Sequence, residues 1–233
     1  MRNVIVTGCP RADQAEVARL AEFGVATVHE AIGRTGYLGP GIRPVYPGSG
    51  LAGTAVTVVC WPGDNLMIHA AVEQCQAGDV LVVTTTSACT DGAFGELLAT
   101  ASQRRGVRGL VTTGGVRDTA ELQAMGFPVF CSAVSAQGTV KATAGAVNVP
   151  VSINGQHIAP GDAVIAADDG VLVVARQQVS QAVSAARARA EKESAARIAF
   201  REGELSLDRY GLRTVLAELG VEYLDYHAYA GTQ

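Results

Sequence analysis

An arginine and an aspartate stand side by side in Gly114-Gly115-Val116-Arg117-Asp118, just after the apolar run Leu110 to Thr113 and just before a helix-forming segment. In alternating α/β chains ligands gather at the carboxyl ends of strands, so this turn offers a cation and a hard oxygen ligand together. A guanidinium holds a carboxylate or keto oxygen through paired N–H donors. A carboxylate holds Mg²⁺, which keeps several of its waters. The plainer reading is that Asp118 caps the following helix and Arg117 pairs at the surface, and residue types alone favour it.

A second segment, Asp91-Gly92-Ala93-Phe94-Gly95-Glu96-Leu97-Leu98, also follows a strand and opens a helix. The free N–H groups and positive end of a helix start make an anion site, and glycines let a small carboxylate come close. An ordinary glycine-containing helix start reads the same way. A third cluster, Glu191-Lys192-Glu193, lies four residues before Arg197; without context it is a surface pair of Glu193 with Arg197.

Other chemistries find little support. The chain has no G-x-x-x-x-G-K, H-E-x-x-H or G-x-S-x-G, and no G-x-G-x-x-G after a strand, so nucleotide binding is not favoured. His29, His69, His157 and His227 show no ligand spacing. A Schiff-base mechanism needs a lysine of depressed pKa. The chain has two lysines, Lys192 on a charged helix face and Lys141 in an extended segment, and only Lys141 is a candidate.

These residues need a scaffold, and 233 residues with 48% hydrophobic and 17% charged side chains supply one globular domain, or one with a helical appendage. Eighteen basic and 22 acidic residues leave a net charge of −4, and with few aromatics this argues against a nucleic-acid partner. No segment reads as a membrane span or signal peptide. Cys9, Cys60, Cys75, Cys89 and Cys131 are odd in number and widely spaced, as expected of reduced thiols in a cytoplasmic protein. Glycine is about 12% of the chain against an average near 7%, which predicts tight turns and close backbone approaches.

The pattern predicts helices over Asp13–Phe23 and from a Thr27 capping box to Arg34, then strand Thr54–Cys60, helix Asn65–Gln76, strand Val80–Thr85 and helix Phe94–Gln103. Strand Leu110–Thr113, helix Thr119–Met125 and strand Val129–Cys131 complete an α/β layer with parallel strands. Residues 140–176 read as antiparallel β with hairpin turns at Asn154-Gly155 and Asp169-Gly170. A long helix Gln177–Arg201 follows, broken at Gly203, then a last helix Ser206–Leu219 and a tail with Tyr223, Tyr226 and Tyr229. The expected division is a domain over 1–176 and a helical extension over 177–233.

Taken in order, Gly63-Asp64-Asn65, Gly95-Glu96-Leu97-Leu98, Gly115-Val116-Arg117-Asp118, Pro160-Gly161-Asp162 and Asp168-Asp169-Gly170-Val171 resemble the RraA-like family over nearly the whole chain. The stretch from Glu191 to Tyr223, with EKE, GELSLDRYGLR and LGVEY, is similar to its class II pyruvate aldolase branch, the 4-hydroxy-4-methyl-2-oxoglutarate / 4-carboxy-4-hydroxy-2-oxoadipate aldolases. The resemblance implies a three-layer β/β/α swivelling-type domain with a C-terminal helical extension. It implies a homo-oligomer, a hexamer built as a trimer of dimers, acting on a small 2-oxo acid.

It also implies site roles. Asp118 holds Mg²⁺ or Mn²⁺, Arg117 holds the pyruvyl oxygens, and the main chain of Gly95, Glu96, Leu97 and Leu98 takes the carboxylate. Glu96 lies near the waters of the metal, and Glu193, with Glu191 as its rival, reaches them from a neighbouring subunit. Cleavage leaves a pyruvate enolate whose charge a dication and a guanidinium stabilise, and oxaloacetate decarboxylation passes through the same enolate. The other readings are a non-catalytic regulator of RNase E and a dedicated oxaloacetate decarboxylase. Arg43, His29 and the C-terminal helices are candidates for the distal carboxylates.

Overall fold

The computed structural model describes residues 2–230. Its strands are β1 (Val4–Ile5), β2 (Arg43–Pro44), β3 (Leu51–Cys60), β4 (Asp79–Thr85), β5 (Gly92–Phe94), β6 (Gly109–Thr112), β7 (Gly115–Val116), β8 (Val129–Cys131), β9 (Ala133–Val134), β10 (Ala146–Val147), β11 (Val151–Ile153), β12 (Gln156–Ile158), β13 (Ala163–Ala167) and β14 (Gly170–Val174). Its helices are α1 (Gln14–Glu22), α2 (Val25–Ala31), α3 (Leu66–Gln74), α4 (Glu96–Arg104), α5 (Thr119–Ala124), α6 (Val179–Arg201), α7 (Ser206–Arg209), α8 (Leu212–Glu218) and α9 (Tyr226–Ala230).

The long, β-branched run of β3 organises the sheet. One edge pairs in parallel with β4, which continues to β6 and β8; the other pairs antiparallel with β13 near its start and with β10 near its end. Because strand side chains alternate, Val56, Val58, Leu81, Val83, Leu110 and Val129 turn to one face, where they pack with Met67, Ile68, Leu98 and Leu122 of α3, α4 and α5. Val80, Val82, Val111 and Phe130 turn to the other, onto Val151, Ile153, Val164 and Val171 of the β11–β14 hairpins. The outer side of β13 and β14 is covered by α1, α2 and the start of α6. The expected α/β layering with a C-terminal helix is thus what the chain adopts. Packing divides the chain into two compact units between Arg187 and Ala188, within α6.

Several local expectations are corrected. Thr27 opens no capping box: α2 begins at Val25 behind Gly24, which makes no side-chain cap. The second hairpin turns on Asp168 and Asp169, because Gly170 is already paired with Ala167. The expected helix Ser206–Leu219 is two helices, α7 and α8, parted at Gly211. Most consequential, Phe94 is not helical; it ends β5, one of the short strands (with β1, β2, β7 and β9) that the pattern did not reveal.

Arg11 ties the N-terminal segment to the sheet. Its Nε and Nη2 donate to both oxygens of Asp79 at 2.8 Å, and Thr54 Oγ1 and the Gln76 N–H also donate to that carboxylate. Asp79 is fully buried. The carboxylate raises the Arg11 pKa above its ordinary value, chiefly through the hydrogen bond. Removing one partner of such a pair strands a buried charge, so Arg11→Ala is expected to destabilise the fold by about 3–5 kcal/mol. Urea denaturation measures this, and a loss below about 1 kcal/mol would show that the pair contributes no more than a surface bridge.

Candidate functional site

Beyond the carboxyl ends of the parallel strands the chain makes a second, smaller sheet. The strands β5, β7 and β9 follow β4, β6 and β8 respectively and pair in parallel, in the order β5-β7-β9. A Cβ on Gly115 would collide with the carbonyl of Thr90, so glycine is required where these backbones meet.

This sheet places Arg117 and Asp118 against the start of α4. Asp118 sits at the N-cap position of α5 in the left-handed region (φ 56°, ψ 44°), yet its side chain makes no cap bond to that helix. Its Oδ2 instead accepts the N–H of Glu96, the first residue of α4, at 3.1 Å. The plain helix-cap reading of Asp118 is therefore corrected: the carboxylate serves a neighbouring helix. Gly95 permits the approach, because a Cβ there would run into Asp118 Oδ2 and stand 2.9 Å from Arg117 Cγ. The strained backbone costs on the order of 1–3 kcal/mol, and such outliers cluster at functional sites.

The Arg117 N–H donates to the Phe94 carbonyl at 2.9 Å. Its Nε lies 3.7 Å from Asp118 Oδ2, and both side chains are about half exposed. Among the described residues the guanidinium donates no hydrogen bond. Helix geometry leaves the amides of Glu96, Leu97 and Leu98 without acceptors in α4; Asp118 takes the first, and Leu97 is well exposed. A guanidinium, two amides without helix acceptors and a positive helix end thus belong to neighbouring segments, and these are groups of the kind that bind a small carboxylate.

The other expected residues are placed as follows. The Glu96 side chain accepts from Thr100 Oγ1 at 3.0 Å, so its backbone, not its carboxylate, meets Asp118. Glu193 lies in the second unit and accepts from Arg189 Nε at 2.8 Å. The expected pair with Arg197 is replaced by this one, and Arg197 reaches Ser194. Glu193 lines a cleft of about 570 Å³ within that unit, together with Arg189, Lys192, Glu204 and Arg209. Arg43 donates to the Asp168 carbonyl, and His29 packs on Tyr37. Lys141 is exposed. Burial pushes the thiols of Cys60 and Cys75 up to about 12 and that of Cys131 to about 11, which leaves them unreactive.

For a metal, the donor set is one hard carboxylate. Asp118 has Oδ1 outside any hydrogen bond among the described residues, and no group of three His, Cys, Asp or Glu is gathered to hold an ion there. These residues fit a hydrated ion of the Mg²⁺ or Mn²⁺ kind, bound through one carboxylate and several waters, and do not fit a closed tetrahedral site.

The sequence shows Asp64 only as part of the motif Gly63-Asp64-Asn65, with no role attached to it. Its buried carboxylate accepts the N–H groups of Leu66 at 2.8 Å and of Ala142 and Thr143 at 2.7 Å. It thereby pins the segment that begins beside Arg117, where Gly138 lies close to a guanidinium nitrogen. Burial raises the Asp64 pKa, but these amides outweigh it and hold the carboxyl below the usual range. The run of small residues Gly63, Gly92, Gly95, Gly114 and Gly115 was the available signal, since close-packed backbone needs glycine.

A family model described as RraA-like, Aldolase/RraA, matches residues 25–173. A Halalkalibacterium halodurans protein named "Putative 4-hydroxy-4-methyl-2-oxoglutarate aldolase" is 28% identical over 200 residues, 84% of this chain and 95% of its own. A Burkholderia multivorans protein of the same name is 37% identical over 145 residues, 62% of this chain and 88% of its own. Among solved structures, an uncharacterized protein from Pseudomonas syringae superposes with a TM-score of 0.75 at 26% identity, covering 84% of this chain and 97% of its own. Streptomyces coelicolor RraAS2, titled an unusual member of the RNase ES inhibitor RraA protein family, gives 0.70 at 29% identity, covering 81% and 99%.

A depressed carboxyl pKa contributes stability that is complete above the unfolded value, about 3.9, and is lost as pH falls through the folded value. The stability gap between wild type and Asp64→Asn should therefore be widest above about pH 4 and narrow below it. Urea denaturation from pH 6 to pH 2 reads this directly; a gap that stays constant with pH contradicts it.

Proposed function

Because the chain belongs to the RraA-like, Aldolase/RraA family, we propose that it is a divalent-metal-dependent pyruvate aldolase. Its expected substrate is 4-carboxy-4-hydroxy-2-oxoadipate, cleaved to pyruvate and oxaloacetate. Cleavage of 4-hydroxy-4-methyl-2-oxoglutarate and decarboxylation of oxaloacetate follow from the same enolate. The observation that carries the reading is the diversion of Asp118 from its own helix to the N-terminus of α4, beside a guanidinium that donates no hydrogen bond among the described residues.

In this reading the amides of Leu97 and Leu98 and the positive end of α4 bind the substrate carboxylate. The Arg117 guanidinium faces the C2 oxygen, where charge develops as the C–C bond breaks, and does so as a fixed donor. Asp118 would hold Mg²⁺ or Mn²⁺, which when bound would supply Lewis-acid stabilisation of that charge. Proton movement at the C4 hydroxyl falls to the carboxylates of Glu96 and of Glu193 from a neighbouring subunit. The second unit supports assembly of that kind: Leu219, Tyr223, Leu224 and Tyr226 are exposed within the single chain, an aromatic-rich surface of the type found at interfaces. The likeness to RraAS2 favours one competing reading, a regulator of RNase E without catalysis.

Pyruvate release, followed by coupling to lactate dehydrogenase, separates the two. The aldolase loses activity in EDTA and regains it with Mg²⁺ or Mn²⁺. Arg117→Lys keeps the charge but loses the fork, and is expected to lower kcat by about 10²–10³-fold. Association with RNase E, with no pyruvate from any 2-oxo acid, would establish the regulator instead.

Gly95→Ala gives a further test. Its methyl group must displace the Asp118 carboxylate, so kcat/KM should fall at least about 10²-fold. Wild-type kcat/KM in this variant would show that the approach of Asp118 to α4 is not needed.

A further inference from the structure

Asn65 occupies the N-cap position of α3, yet its side chain does not cap that helix. Asp64 takes the first amide of the helix instead, accepting the Leu66 N–H through Oδ1. The Asn65 amide is released to turn the other way, and its Nδ2 donates to the carbonyl of Ala93 at 2.8 Å. The residue is only 7% exposed, and its Oδ1 is buried with no hydrogen-bond partner among the described residues. A buried acceptor without a donor is destabilising. A side chain retained for packing alone would be apolar here, so the N–H bond to Ala93 is what the amide contributes.

Ala93 is the irregular residue of β5. Gly92 pairs with Gly115 and Phe94 with Val116, two steps on β5 against one on β7. The Ala93 N–H turns back to the Asp91 carbonyl at 2.8 Å, leaving its own carbonyl outside the ladder for Asn65. Bulges of this kind re-aim the chain. The residues that follow are Phe94, whose carbonyl accepts the Arg117 N–H, and Gly95, which opens α4.

We propose that Asn65 is a positioning residue: by holding the Ala93 carbonyl it fixes the bulge that aims β5, and so sets the α4 amides against Arg117 and Asp118 for a 2-oxo carboxylate. The inference rests on the aldolase reading and adds to it a residue that touches no substrate. A displacement of about 1 Å at such a site costs about 10²-fold in rate.

Asn65→Leu and Asn65→Asp test it, with melting temperature, kcat, KM and the Kd for oxalate in Mg²⁺ buffer as readouts. Oxalate is a planar dianion that imitates the pyruvate enolate. For Asn65→Leu the expected result is an unchanged or higher melting temperature, with oxalate affinity and kcat/KM both reduced about 10- to 100-fold. For Asn65→Asp, activity relative to wild type should climb as pH falls, because only the protonated acid can donate to the Ala93 carbonyl and burial raises its pKa. Wild-type oxalate affinity in Asn65→Leu, an affinity loss that merely tracks unfolding, or a pH-independent ratio for Asn65→Asp would each overturn the proposal. Should Asn65→Leu fail to fold, the pH ratio decides alone. If wild-type protein neither binds oxalate nor releases pyruvate, the aldolase reading falls and this inference falls with it; loss confined to the variants belongs to Asn65.

Discussion

The hydrogen bond from the Glu96 N–H to the Asp118 carboxylate is the constraint around which the rest of the upper layer is arranged. An aspartate that opens a helix ordinarily turns its side chain onto that helix. Here a left-handed backbone turns it away. The strain is of order 1–3 kcal/mol, and a hydrogen bond to a charged group contributes about 1.5–3 kcal/mol, so the two nearly offset each other. What remains is geometry: a carboxylate, a guanidinium and a helix N-terminus held within one turn of each other.

Each neighbouring feature serves that geometry. Gly95 clears the space that the carboxylate enters, and the parallel pairing of β5 with β7 fixes the height of α4 relative to Arg117. The small sheet is in turn fixed by the large one, because β5, β7 and β9 continue strands whose side chains are locked between two apolar layers. Asp64 and Asn65, adjacent in sequence, reach in opposite directions from the start of α3, one to the segment at Ala142 and the other to β5. A dense apolar core therefore carries a wall of polar backbone contacts, and the candidate chemistry lies on the outer side of that wall.

The parts of this arrangement legible in the sequence were those with a strong period. Thr54–Cys60 and Val80–Thr85 are apolar runs rich in β-branched residues, as expected of strands buried on both faces, and the helix between them is largely apolar. The short strands β5, β7 and β9 of the small sheet were not legible, nor were β1 and β2, since two or three residues carry no period and Gly92, Gly95 and Gly115 read first as turn residues. The turn containing Arg117 and Asp118 could be picked out by residue type and position, but its alternative reading as a helix cap could be settled only by φ at Asp118. Asp64 and Asn65 were visible as a motif, while their partners other than Leu66 lie 28 to 79 residues away along the chain, beyond any local rule.

The central claim is that Asp118 holds a hard dication beside Arg117 when a pyruvyl compound is bound. Anomalous diffraction from crystals grown with Mn²⁺ and oxalate measures this directly. The account predicts a manganese peak within bonding distance of an Asp118 carboxylate oxygen, with oxalate between that ion, the Arg117 guanidinium and the amides of Leu97 and Leu98. A manganese ion bound elsewhere, with oxalate away from Arg117, would contradict it.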